Sequence, residues 1–133
     1  MAQEDIQEIL KLGIYGTPQT KPAERKLFLS SIRERVWLAL TRSQVNRGMP
    51  YREVEEVLRS RNDVHLFLNG SLPYESISPY IKLASKNGAQ FTIVSNQASE
   101  TPVGLVASAS KAVDVSSVFI EDERYERDIG EKK

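Results

Sequence analysis

Val64-His65-Leu66-Phe67-Leu68-Asn69 is a short apolar run that ends on a polar turn, and Phe91-Thr92-Ile93-Val94-Ser95-Asn96 is a second of the same kind. Between them, Pro79–Lys86 carries apolar residues at helical spacing, and Val103–Ala112 repeats that spacing after the second run. Ser116–Ile120 reads as a third strand of this stretch. Runs that switch from strand-like to helix-like and back imply a sheet covered by helices, with parallel neighbours and loops opening beyond the strand ends. Ser78 offers an N-cap for the helix that would start at Pro79, and Gly88 after Asn87 supplies its left-handed C-cap. Gln97–Pro102 is a polar loop.

Upstream, Pro50 and Tyr51 open a helix to Arg61, with Val54, Val57 and Leu58 at i, i+3, i+4 and charge elsewhere. Val36-Trp37-Leu38-Ala39-Leu40 is compatible with a buried strand or with a continuing helix. The strand is favoured, because the later strands need a neighbour and one more member buries far more of each face. A helix from Pro22 to about Ser31 precedes it. Asp5–Leu12 suits a short amphipathic helix that Gly13 would end, and Gly13–Pro22 is punctuation. The expected organisation is one α/β domain over residues 1–120, with residues 1–21 as an N-terminal arm and residues 121–133 as an acidic, flexible tail.

The 133 residues suffice for a core without staples. Hydrophobic content of 40% and charged content of 27% fit an ordinary globular domain. The chain has no cysteine, which excludes disulfides, thiolate nucleophiles and cysteine metal sites. It opens without the basic and apolar regions of a secretory signal and holds no apolar stretch near the roughly 18 residues of a membrane span, so no membrane contact and a cytoplasmic address are expected. The net charge is zero but uneven: residues 21–61 carry a balance of +5 and residues 114–133 one of −3. A basic half facing an acidic end can mark an anion-binding surface or simply two solvated faces.

Gly13-Ile14-Tyr15-Gly16-Thr17-Pro18, Lys21-Pro22-Ala23-Glu24-Arg25, Arg33-Glu34-Arg35-Val36, Leu40-Thr41 and Gln44-Val45 together resemble the YueI-like proteins of Gram-positive bacteria. Leu68-Asn69-Gly70, Phe91-Thr92-Ile93-Val94 and Gly104-Leu105-Val106 are similar too. The resemblance spans nearly the whole chain. It implies a chorismate-mutase-like three-layer α/β sandwich, with a small mixed sheet of about four strands and helices on both faces. Its order would be a strand, helix–strand twice, then a last strand. Kink-turn RNA-binding ribosomal proteins share that topology, and Thr101–Leu105 resembles their loop before the last helix. Their Gly-x-Asn-Glu-Val-x-Lys pattern falls here on Pro50-Tyr51-Arg52-Glu53-Val54-Glu55-Glu56. Glu53 and Val54 fit it. The glycine and asparagine are absent, and Glu56 puts an anion where a phosphate-facing cation belongs.

Catalytic groups are scarce. His65 is the only histidine, which removes two-histidine metal sites, and a hydrogen-bonded structural histidine is the simpler reading. No serine sits in a Gly-x-Ser-x-Gly or supported Ser-x-x-Lys motif. No catalytic residue, metal or cofactor is expected. Asn69, Gly70, Ser71, Ser95 and Asn96 follow two strands, and if those strands are parallel neighbours their loops meet at one carboxyl rim, where a small anionic ligand could be held. Tight strand-to-helix turns need the same residue types. Arg25, Arg33, Arg35, Arg42, Arg47 and Arg52 favour planar bidentate donors over lysine, for phosphate or for internal pairing with Glu24 and Glu34. Three functions compete: a non-enzymatic RNA-binding domain using Arg42, Arg47 and Arg52; a small-molecule sensor or oligomeric enzyme at the carboxyl rim; and an interaction module docking through residues 13–35.

Overall fold

A computed structural model describes residues 24, 25, 27–95 and 101–129. The expected helix at residues 5–12, the 1–21 arm and most of the 97–102 loop lie outside the described residues. Four strands form one sheet: β1 (Val36–Thr41), β2 (His65–Asn69), β3 (Gln90–Val94) and β4 (Val103–Ser108), in the spatial order β1-β4-β2-β3. β2 and β3 run parallel, while β4 is antiparallel to both β1 and β2. Among the described residues the sheet is accompanied by α1 (Arg42–Val45), α2 (Arg52–Ser60), α3 (Tyr74–Lys86) and α4 (Glu123–Ile129). The mixed α/β class and the four-stranded sheet agree with the reading of the sequence, as does the strand at Val36–Leu40.

The second expected helix, Val103–Ala112, is instead β4, the central strand. All six of its residues are buried. A strand buried on both faces reads as an unbroken apolar run, and over so few residues periodicity does not separate it from a buried helix. The last strand of the fold is therefore β4. Residues 116–120 make only an isolated parallel bridge, Phe119 to Ala39, with Ala39 N–H donating to Val118 O at 2.8 Å along the outer edge of β1. α3 begins at Tyr74, not at Pro79, and places Pro79 inside the helix. Losing that one N–H is offset because the extra turn buries Ile77. Its other end is as expected: Gly88 follows with φ +73°.

The sheet separates two apolar clusters. On one face Leu66 and Leu68 of β2 and Leu105 and Ala107 of β4 meet Val54 and Leu58 of α2 and Ile77, Tyr80 and Ala84 of α3. Fully burying a leucine such as Leu66 or Leu68 contributes about 1.5–3 kcal/mol. On the other face Val36, Ala39, Val103 and Val106 pack against Leu27, Phe28 and Leu29 before the sheet and Val118, Phe119 and Tyr125 after it. Alternation along β2 sends Phe67 to this second side.

The segment expected as a loose acidic tail is ordered over residues 121–129. Tyr125 is buried beside Phe119, with ring centroids 5.4 Å apart. Asp128 accepts from the N–H and hydroxyl of Ser43 at 2.7 and 2.6 Å. Asp122 precedes α4 and accepts from Tyr125 N–H (3.0 Å), Gln44 Nε2 (2.9 Å) and Tyr51 Oη (2.6 Å). Gln44 is fully buried, closes a capping box with Thr41 and also donates to Ile120 O at 2.7 Å. The acidic residues read as solvated charge thus include the anchors of the C-terminal helix.

Burial and the hydrogen bond to Asp122 push the Tyr51 hydroxyl up to about 12. Its folded-state value lies above the unfolded one, so this contribution is present below about pH 10 and is lost as pH rises toward 12. Tyr51→Phe is expected to cost about 1–2 kcal/mol at neutral pH and to flatten the decline of stability at alkaline pH, measured by urea unfolding across that range.

Candidate functional site

The parallel pairing of β2 and β3 brings their following turns to one rim, and Gly70 N–H donates to Val94 O at 2.7 Å. A Cβ on Gly70 would lie 2.9 Å from that same oxygen, so glycine permits the contact. Asn69 is fully buried: its Oδ1 accepts from Ser71 N–H (2.9 Å) and Ser71 Oγ (2.7 Å), and its Nδ2 donates to Val103 O (3.0 Å). Arg42 joins this rim and donates to Ser71 Oγ at 2.9 Å and Thr101 O at 3.2 Å. Ser95 is exposed at the end of β3, and Asn96 lies outside the described residues. The rim is assembled, with Asn69 and Arg42 bonded to the chain itself.

The other arginines divide by environment. Arg47 lies 3.5 Å above the ring of Tyr51 and donates to Met49 O and Pro50 O at 2.9 and 3.3 Å. Arg52 is exposed in the first turn of α2. Arg33 donates to Val115 O at 2.7 Å, and Glu24 accepts its main-chain N–H at 3.1 Å. Burial lowers the Arg33 pKa, while Glu24 and Asp114 pull it back up. Arg33 and Glu24 therefore fit the internal-pairing reading of the arginine-rich segment.

Arg25 and Arg35 meet elsewhere, at the opposite end of the sheet. A cleft of about 450 Å³ opens where β2 and β3 begin and β4 ends. Arg25, Arg35 and His65 border it together with the polar groups of Ser31, Gln90 and Ser110. Arg25 donates to Ser30 O at 3.2 Å. The Arg35 guanidinium makes no hydrogen bond or ion pair among the described residues. Leu29 and Ser30 adopt φ of +54° and +85°, reversing the chain so that Ser30 and Ser31 line the cleft rather than continue the helix. The cleft falls within the roughly 300–1,000 Å³ typical of small-ligand sites.

Among the described residues one carboxylate borders the cleft, and it is engaged. Asp63 accepts from Ser110 N–H (3.2 Å) and Ser110 Oγ (2.9 Å), which hold it below its usual range, with Lys111 adding to the effect. Burial lowers the pKa of the His65 imidazole and so favours its neutral form. It stacks on Phe67 at 4.5 Å and exchanges a 2.7 Å hydrogen bond with Thr92 Oγ1. The positive potential of the cleft at neutral pH therefore comes from Arg25 and Arg35. His65 is bonded to none of the hydroxyls of Ser31, Ser108 and Ser110: Ser31 Oγ bonds Ser108 Oγ at 2.7 Å, and Ser110 Oγ donates to Asp63. A base-activated serine would need that contact. No group of three or more His, Cys, Asp or Glu that could hold a metal occurs among the described residues. None of the described helices is long and apolar enough to cross a membrane.

The sequence marks Arg25, Arg35 and His65 singly but does not join them. Their meeting depends on the antiparallel pairing of β4 with β2, which sets Ser108 opposite His65. Taking residues 103–112 as a helix hides that register.

Fold and site together define a small mixed α/β domain with an open four-stranded sheet and a polar, arginine-lined cleft at one end. The family described as "Protein of unknown function (DUF1694)" matches residues 3–119, and the chain belongs to that family. The Uncharacterized protein YueI of Bacillus subtilis (strain 168) is 45% identical over 129 residues, covering 97% of this chain and 98% of that protein. The crystal structure of the YueI protein from Bacillus subtilis superposes with a TM-score of 0.85 at 44% identity, covering 95% of this chain and 98% of that one. The YueI-like resemblance read from the sequence is thereby established.

Proposed function

We propose that this protein is a cytoplasmic, non-enzymatic binding domain whose ligand is a small anionic molecule held in the cleft at the amino ends of β2 and β3. The observation that carries this reading is the pair Arg25 and Arg35 on a cleft of about 450 Å³ whose one carboxylate is already bonded to Ser110. Two guanidiniums with an excess of positive charge suit a phosphate or carboxylate, and the surrounding hydroxyls and amides suit the polar body of such a ligand. RNA is the competing ligand. Its proposed contacts are less available, since Arg42 and Arg47 spend hydrogen bonds on their own chain, which leaves Arg52 as the exposed arginine of the three with no such bond among the described residues.

Calorimetric titration with inorganic phosphate, pyrophosphate and a short RNA oligomer at low salt separates these readings. Pyrophosphate is expected to bind, and Arg35→Ala to weaken it about tenfold, an ion-paired hydrogen bond being worth roughly 1.5–3 kcal/mol. Arg52→Ala should leave pyrophosphate binding unchanged. RNA binding that Arg52→Ala weakens and Arg35→Ala does not would replace the cleft with the RNA reading. No affinity for any of the probes would remove both.

A further inference from the structure

β3 is one of the two outer strands of the sheet, and no strand pairs with its free side among the described residues. Edge strands are normally shielded by charge, proline or a bulge. Gln90-Phe91-Thr92-Ile93-Val94 has none of these, since it holds no charge or proline and pairs with β2 in unbroken register. Phe91 and Ile93 remain 38% and 43% exposed on the face shared with Leu66 and Leu68. α3 lies over β2 and β3, and α2 contacts β1 and α3. Lys86 of α3 reaches Glu55 of α2 at 3.5 Å, which marks the flank of α3 turned toward α2. Tyr74 and Ile81, seven residues apart, share another flank, and Tyr74 is 65% exposed. Three of the four exposed large hydrophobics among the described residues thus belong to α3 and β3.

The main chain specifies what fits. Val94 O accepts from Gly70 N–H and so points toward β2. By alternation the N–H and C=O groups of Thr92 and Gln90 point the same way, and those of Phe91 and Ile93 point outward. A two-fold axis beside Thr92 would set Phe91 opposite Ile93 of a second copy in antiparallel pairing. Each such pair exchanges both its hydrogen bonds, so all four outward main-chain groups are satisfied. Phe91 then lies beside Ile93 of the other copy in both pairs, and no like charges of the two strands meet. We propose that β3 is the contact edge of a two-fold dimer of this chain, joining two four-stranded sheets into one.

Light scattering on the full chain across micromolar to hundreds of micromolar concentrations tests this. The expected mass is twice the 15.0 kDa of the chain, falling to that of one chain for Ile93→Lys with its far-ultraviolet circular dichroism retained. The cysteine-free background permits a test of register that does not need a lysine to be tolerated. Two residues facing each other at a non-hydrogen-bonded antiparallel position have Cα atoms about 4.5 Å apart, within disulfide range. Thr92→Cys should therefore cross-link into a covalent dimer under mild oxidation, and Gln90→Cys, set opposite Val94, should not. A monomer at every concentration would overturn the proposal, as would a dimer that survives Ile93→Lys or cross-links equally through both cysteines. A monomer that takes up an extended peptide on β3 would overturn it in favour of a protein partner.

Discussion

Replacing Asp122 with alanine is expected to destabilise the protein by about 3 kcal/mol, which urea unfolding at pH 7 would measure directly. Three donors lose their acceptor at once: Tyr125 N–H, Gln44 Nε2 and Tyr51 Oη. Loss of a helix N-cap costs about 1 kcal/mol, and a buried donor left without its partner costs about 1–3 kcal/mol more. Gln44 is fully buried, so its amide cannot recover the contact from water. Burial pushes the Asp122 carboxyl up, but the hydrogen bonds from Tyr51, Tyr125 and Gln44 outweigh it and hold the group below its ordinary range. A depressed folded-state value means that the charge contributes stability above the unfolded pKa of about 3.9 and loses it as pH falls through the folded one. The gap between wild type and Asp122→Ala should accordingly be widest near neutrality and narrow in acid. Asp122→Asn, which keeps an acceptor oxygen but not the charge, should fall between them. An unchanged unfolding midpoint for the alanine variant would mean that α4 does not hold the C-terminal segment in place.

Asp122 also shows where the sequence stops being legible. Local pattern announces β2, β3 and α2, because each carries its signal within its own residues: alternation in Val64–Asn69, a neutral β-branched run near Thr92, an i, i+3, i+4 stripe at Val54, Val57 and Leu58. Asp122, Tyr125 and Asp128 sit in a charged stretch with few apolar residues, and only the contacts with Gln44, Tyr51 and Ser43 give them a role. Those partners lie far away in sequence. Compositional reading assigns such a stretch to solvent, and tertiary contact overrides it.

β4 is the opposite case. Val103-Gly104-Leu105-Val106-Ala107-Ser108 is apolar enough to be read at once as core, but its period is lost because both faces are buried. That one misreading propagates. Without β4 between β1 and β2, Ser108 is not brought beside His65, and Ser110 is not brought to Asp63. The cleft is then invisible, although Arg25, Arg35 and His65 are each conspicuous. The carboxyl rim was legible because it needs only the pairing of β2 with β3, which two well-marked runs suffice to suggest. The two ends of the sheet consequently differ in how their polar groups are employed. At the rim, Asn69 and Arg42 fasten β4 and the turn after β2 to each other. At the cleft, the Arg35 guanidinium makes no hydrogen bond or ion pair among the described residues.

Gly104→Val is expected to be the most damaging single substitution in the sheet, and the reason is the closeness of two backbones. A Cβ at Gly104 would stand 2.9 Å from Val45 Cγ2, 3.0 Å from Thr41 O and 3.1 Å from Arg42 Cα. Val45 can turn aside, but the other two atoms are main chain at the junction of β1 and α1, where the capping box of Thr41 and Gln44 fixes the turn. Moving that junction would stretch the bond from Arg42 N–H to Pro102 O (2.9 Å) and displace Gln44 from Ile120. Overpacking of this kind costs about 1–3 kcal/mol for a single methyl, so Gly104→Ala should fall in that range and the branched valine should exceed it. Gly104 shows no positive φ, so the penalty is one of space rather than of backbone conformation, and it should grow with side-chain volume. Thermal unfolding of the alanine, serine and valine variants would show that gradient. Equal stability across the three would mean that α1 does not pack on β4 at this distance. A large drop for alanine without a further drop for valine would mean that the junction gives way as a unit.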